Sequence, residues 1–311
     1  IIGAAHKLYT LINNSNFDKL GSILNLNDFA KYDAALTLFG NSHDNAGDNL
    51  KLSYSLKEGK FSPIARSEGV LLPLRIHGGS FAVTTANFRG QPNPLFTALI
   101  QNKKYRILKY KRLNHLLINF DETFKKYTTD TETSNKIIFY DSSDPEDSFI
   151  KKAKHKRHIN TLLDNRRKLQ QSLNTAFVYL NITQENNNIT FNFMPDTEMP
   201  LNVSRLIVNF RDSTLGGKLT VSTPLSNLPN TVFPVINGKV DLSKFFKKQN
   251  FLSSFDSQLR LKKTNHVINV TVHSKNISKI KDIEWEMGNQ ITDKNVQENN
   301  MYYQYGFIVE D

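Results

Sequence analysis

Residues 178–193 read VYLNITQENNNITFNF, and their pattern decides what kind of fold this part of the chain builds. Val178, Leu180 and Ile182 alternate with Tyr179, Asn181 and Thr183, and Ile189, Phe191 and Phe193 alternate with Thr190 and Asn192. Strand side chains point to opposite faces with a period of two, so each run is a strand with one apolar and one wet face. Gln184 to Asn187 between them are turn residues, which predicts an antiparallel hairpin.

The same alternation returns at Leu206/Val208/Phe210, Leu219/Val221 and Ile268/Val270/Val272. Gly216-Gly217 lies between NVSRLIVNFRDS and KLTVST and is expected to join them as a second hairpin. Short antiparallel strands connected in this way favour two packed sheets, so residues 172–311 are expected to form a β-sandwich unit.

Toward the N-terminus the period changes. Leu8, Leu11 and Ile12, then Phe17, Leu20 and Leu24, then Phe29, Tyr32 and Leu36 form helical stripes, with Gly40 as the stop. Residues 1–48 thus read as a helical arm. From Leu50 the period returns to two, because Leu50, Leu52, Tyr54 and Leu56 alternate with Lys51, Ser53 and Ser55. Val70 to Ile76, Phe81 to Phe88, Tyr105 to Tyr110 and Lys136 to Tyr140 are further strand candidates. Leu113, Leu117, Phe120 and Phe124 form one helical stripe. The polar YTTDTETSN is a loop, and the acidic DSSDPEDS from Asp141 gives way to the basic KKAKHKR and a helix reaching Gln171. Residues 49–171 are read as a first β unit carrying a helical, charged insertion. The expected fold class is therefore mainly β: two tandem β-sandwich units of jelly-roll type, an N-terminal helical arm and a helical insertion.

Composition narrows the function classes. The 311 residues suffice for a sizeable core, and 39% apolar with 22% charged residues is ordinary globular usage. The absence of cysteine removes disulfides, thiolate nucleophiles and cysteine-ligated zinc. No run reaches the ~18 to 20 apolar residues of a membrane-spanning helix, and in IIGAAHKLYTLINN polar residues come too early for a signal peptide. Asn-x-Ser/Thr sequons at Asn181, Asn202, Asn269 and Asn276 arise by chance in an Asn-rich chain.

Charge supplies the strongest functional hint. Forty Lys and Arg against 29 Asp and Glu give a net charge of +11. One concentration is NKKYRILKYKR, where Lys103, Lys104, Arg106, Lys109, Lys111 and Arg112 interleave with Tyr105 and Tyr110; the other is Lys151 to Arg157 with Arg166, Arg167 and Lys168. Cations beside aromatic rings suit phosphate contact and base stacking. They equally suit contact with anionic lipid or another subunit, or a solvated surface.

Other constellations are weaker. His77-Gly78-Gly79-Ser80 has the look of an oxyanion loop, but no G-x-S-x-G elbow accompanies it, so it reads as a tight turn. The histidines have no zinc-binding spacing. Asp44, Asn45, Asp48 and Asn49, and Asp141, Asp144 and Asp147, offer oxygen ligands without the spacing of a calcium loop. Neither a metal nor a cofactor is expected, and the chain is expected to be structural or binding rather than catalytic.

A helical arm, two β units in tandem and alternations such as NLKLSYSL, NITFNFMP and HVINVTVHS resemble the double jelly-roll capsid proteins of icosahedral viruses and phages. The resemblance is architectural and no motif carries it. It implies a virion subunit that forms trimers with copies of itself and meets other assembly proteins, its N-terminal arm reaching a neighbour or an internal membrane. The alternatives from other classes are a bacterial surface adhesin or carbohydrate-binding module, weakened by the single Trp285, and a β-sandwich hydrolase, which would need converging carboxylates.

Overall fold

The computed structural model describes residues 1–45, 49–65, 71–74, 80–81, 86–88, 91–126, 129, 145–176, 178–222, 231–273, 279–294 and 303–308. The chain divides into two units, Ile1–Ser172 and Leu173–Asp311.

Helices build the first unit. Helix α1 (Ile2–Asn13) and the 3-10 turn Phe17–Ser22 bury Leu11 and Leu20. Helix α2 (Leu26–Leu38) is capped by Asn25, whose side chain accepts from the Asp28 N–H, and turns Phe29, Ala30, Asp33 and Ala34 inward. Past its end Gly40 adopts φ +63°, and the Asn41 N–H returns to the Leu36 carbonyl at 2.8 Å. Strands β1 (Leu52–Ser55) and β2 (Lys60–Pro63) form one hairpin, and β3 (Asn87–Phe88) and β4 (Gln91–Pro92) another. Then come α3 (Pro94–Gln101), α4 (Lys103–Ile118), α5 (residues 120–126) and α6 (Pro145–Asn174).

This unit departs from the expected first β-sandwich. Among the described residues its only strand pairs are the two short hairpins, of which β1 lies within the alternation at Leu50 to Leu56. Tyr105 to Tyr110, expected as a strand, is helical. The reason is the buried face of α4: Tyr105, Arg106, Lys109, Tyr110, Leu113 and Leu117 all point inward. Two cations on that face hide the 3.6-residue period and leave the apolar letters looking like alternation. Of Val70 to Ile76 the described residues 71–74 have no regular structure, and of Phe81 to Phe88 the described residues are 81 and 86–88, with Asn87 and Phe88 in β3. Lys136 to Tyr140 lies outside the described residues. With 38% helix and 32% strand the chain is mixed α/β rather than mainly β.

The second unit carries the sheets. Its strands are β5 (Val178–Glu185), β6 (Asn188–Pro195), β7 (Leu201–Phe210), β8 (Gly217–Ser222), β9 (Thr231–Val235), β10 (Lys239–Asp241), β11 (Ser254–Phe255), β12 (Leu261–Lys262), β13 (His266–His273), β14 (Ile280–Asn289) and β15 (Tyr303–Ile308). One sheet has the order β15-β5-β6-β13-β8-β9, a second the order β10-β7-β14, and β11 pairs β12. The β5–β6 hairpin forms around Asn186 at φ +50°. The second expected hairpin does not: β7 and β8 lie in different sheets, so Gly216-Gly217 ends a crossing rather than a turn. After Phe210 the Arg211 N–H bonds the Lys279 carbonyl and Asp212 accepts from Thr214, which carries the chain away from β7.

Each sheet has one buried face. Leu180, Phe191, Val221 and Val270 are at most 1% exposed on the larger one. On the smaller one a bulge between Arg205 and Val203, opposite Glu286 and Met287, shifts the alternation so that Leu201, Val203, Leu206 and Val208 all turn inward. Helix α7 (Ser243–Phe246) joins the two faces. The Leu242 N–H bonds the Leu206 carbonyl of β7 at 2.8 Å, and Phe246 lies 5.7 Å and 5.5 Å, ring to ring, from Phe191 and Phe193 of β6.

Candidate anion-binding groove

The first basic run does not form one surface. On α4, Lys103, Lys104 and Lys111 are exposed, while Arg112 is half-buried with its Nη2 donating to Asn27 Oδ1 at 2.8 Å. Arg106 and Lys109 are buried. The Lys109 ammonium sits 3.0 Å from Asp33 Oδ2, both side chains fully buried, and the Tyr105 hydroxyl donates to the same oxygen at 2.6 Å. Burial, and then the charge of Asp33 and the hydrogen bond to it, hold the Tyr105 phenol well above its ordinary pKa. This cluster ties α4 to α2. The tyrosines of the run, also buried, are not stacking platforms.

The second basic run lies on α6, where Lys151, Lys152 and Lys154 fall in a part of the helix whose side chains are not described. Its later residues divide by partner. Arg166 is held by Asp121, Nη2 to Oδ2 2.9 Å, with its guanidinium 4.5 Å from the Phe120 ring centre. Arg167 and Lys168 both reach Asp164 at 2.8 Å. The hydrogen bond from Lys168, followed by that from Arg167, lowers the pKa of the Asp164 carboxyl. Lys156 and Arg157 are exposed and pair with no carboxylate among the described residues.

Those two cations border an open groove of about 480 Å³, lined by Lys156, Arg157, Asn160, Thr161, Asp164 and Pro73. Helical spacing accounts for five of the six, because 156, 160 and 164 fall four apart and 157 and 161 flank them on the same face. Asn165 brings the sixth. One turn on from Thr161 and on the buried side with Leu162 and Leu169, it is fully buried, accepts the Leu74 N–H at 2.6 Å, and donates to the carbonyls of Leu72 (2.8 Å) and Leu38 (3.0 Å). These bonds clamp the segment around Pro73 between α6 and the end of α2. Gly40 permits the approach from the other side, since a Cβ there would lie 2.1 Å from the Leu72 carbonyl oxygen.

An asparagine that satisfies three backbone groups in the interior leaves all three unpaired when truncated. Asn165→Ala is expected to lower unfolding stability by about 2–3 kcal/mol, read from a urea titration of the helical circular dichroism signal. A loss within error would mean that residues 72–74 are not held by this side chain.

Two cations, an amide and a hydroxyl on one concave face can surround an oxyanion, with Lys156 and Arg157 supplying charge and Asn160 and Thr161 neutral donors. Lys156 and Arg157 were visible in the sequence as part of a charge run. Pro73, Asn160, Thr161 and Asn165 were missed, although a polar residue at 165 between Leu162 and Leu169 is the mark of a buried asparagine. Among the described residues no group of three or more His, Asp and Glu is placed to hold a metal ion. Asp44, one of the oxygen ligands considered from sequence, is buried and accepts from Asn41 Nδ2 at 2.9 Å. His77-Gly78-Gly79 and Asp141 and Asp144 lie outside the described residues, as does the side chain of Asp147. No protein-family model, curated protein or solved structure matches the chain.

Proposed function

We propose that the chain is a non-enzymatic structural subunit of a multi-copy assembly of the virus-capsid type, built on one jelly roll in the second unit. The observation that carries the reading is the winding order. Taken along the chain, β6 to β10, β13 and β14 are dealt into two sheets as β6-β13-β8-β9 and β10-β7-β14, every neighbouring pair antiparallel. Along these strands the chain changes sheet between β6 and β7, β7 and β8, β9 and β10, β10 and β13, and β13 and β14. Paired Greek keys of this kind make the jelly roll, which recurs in capsid and lectin domains.

The eighth strand departs from this winding. In a jelly roll the strand before β6 pairs with β14. Here β5 pairs along its length with β6 in the larger sheet, and its bonds toward β14 are local: Gln184 Oε1 accepts the Ile280 N–H at 2.8 Å, and just before β5 the Leu173 carbonyl accepts from Asn289 Nδ2 at 2.7 Å. Its edge is taken instead by β15, in parallel register from Tyr303 beside Val178 to Ile308 beside Thr183. The helical first unit then takes the place that a second sandwich holds in the double jelly-roll proteins.

Self-assembly is the property that separates a shell subunit from a lectin of the same winding. Negative-stain images of the purified chain, taken over a range of concentrations and salt, are expected to contain rings, sheets or closed particles. Single dispersed particles under every condition, with binding to glycans, would transfer the jelly roll to carbohydrate recognition.

A further inference from the structure

We infer that the α6 groove of the first unit is a binding site for the phosphodiester backbone of a nucleic acid, contacted without regard to base sequence. The inference stands apart from the capsid reading, because it rests on the first unit alone.

Charge is the first argument. Of the cations on this side of α6, Arg167 and Lys168 are engaged by Asp164, whereas Lys156 and Arg157 have no anionic partner among the described residues. The groove therefore carries two uncompensated positive charges next to the donors of Asn160 and Thr161. A phosphate needs that combination, since charge supplies attraction and neutral donors fill the remaining oxygen positions.

Length is the second. From Lys156 to Lys168 the helix rises about 18 Å at 1.5 Å per residue, and Lys156, Arg157, Arg167 and Lys168 lie along one side of it. A single phosphate occupies one end of such a stripe. A chain of phosphates can run its length and displace Asp164 from its two partners at the far end.

The surroundings then decide between polyanions. A helix that binds a lipid surface presents apolar side chains for insertion beside its cations. On α6 Leu162 and Leu169 are buried, Ile159 is half-buried and Leu163 is 39% exposed, so among the described residues the helix offers one or two apolar side chains and not an apolar stripe for insertion. The groove beside them is concave and, apart from Pro73, lined by polar and charged side chains, which suits a phosphate backbone better than a bilayer. No aromatic side chain lines the groove, so recognition is electrostatic and tolerant of sequence.

The test is fluorescence anisotropy of a labelled oligothymidylate with the full chain over a salt series. The wild type is expected to bind with a log–log salt slope near −0.7 per phosphate neutralised. The double variant Lys156→Gln/Arg157→Gln is expected to weaken binding about tenfold at low salt and to flatten the slope by about 1.4. Asp164→Asn frees Arg167 and Lys168 and is expected to act oppositely, with tighter binding and a steeper slope. All three positions lie outside the core, so the circular dichroism melts should coincide with wild type. Absence of oligonucleotide binding, or binding that neither variant alters, overturns the inference. So does capture by anionic phospholipid vesicles that depends on Lys156 and Arg157 while the oligonucleotide is ignored.

Discussion

Lys109→Met is expected to lower the stability of the first unit by about 3–5 kcal/mol. Lys109 and Asp33 are both fully buried and 3.0 Å apart. Removing the ammonium takes away the cation 3.0 Å from a buried carboxylate, to which the Tyr105 hydroxyl also donates. Desolvation of that buried carboxylate, rather than loss of the attraction itself, sets the size of the effect. The first unit holds most of the helix and the chain's only tryptophan, Trp285, is in the second, so helical circular dichroism in urea reports the relevant transition. Adding Asp33→Leu removes the buried carboxylate and is expected to restore a large part of the loss. A change under about 1 kcal/mol in the single variant is what a solvent-exposed pair would give, and would contradict the buried cluster.

Phe246→Ala is expected to cost the second unit about 3–5 kcal/mol. The ring is fully buried among Phe191, Phe193, Phe245 and Phe251, with centroids 5.3 to 6.5 Å away. It fills the space between the larger sheet and the helix anchored on β7, where the Leu206 N–H donates to Ser243 Oγ at 3.0 Å. Truncation opens a cavity that the two sheets cannot close without breaking that anchor. Trp285 on β14 reports this transition by its fluorescence. An unmoved midpoint would mean that α7 lies on the sheets without plugging them.

The second unit was largely legible in the sequence because its strands have one wet face, as in β6, where Ile189, Phe191 and Phe193 alternate with Thr190 and Asn192. Strand β14 carries the same signal in Ile283, Trp285 and Met287 against Glu284 and Glu286, but a bulge after Ile280 breaks its phase. Sheet membership was not legible. The glycine pair at 216–217 looks like a hairpin turn, and only the pairings of β7 with β14 and β8 with β13 reveal a crossing.

The first unit was misread for a physical reason. Helix α4 buries Arg106 and Lys109, and a charge that is paired in the interior leaves the same letter in the sequence as one in solvent. Asp33, its partner, is 76 residues away and carries no local mark of that role. The same ambiguity divides the second basic run, where Arg166 is held by Asp121 while Lys156 and Arg157 are not held by any described carboxylate. Charge counting located both runs, but only packing separates the cations that hold the protein together from those left facing a groove.

The solution mass of the purified chain, by light scattering across a concentration series, tests the proposed role most directly. A structural subunit is expected to give a defined multiple of 35.6 kDa or larger assemblies that grow with concentration. A constant mass of one chain at every concentration and salt would contradict it.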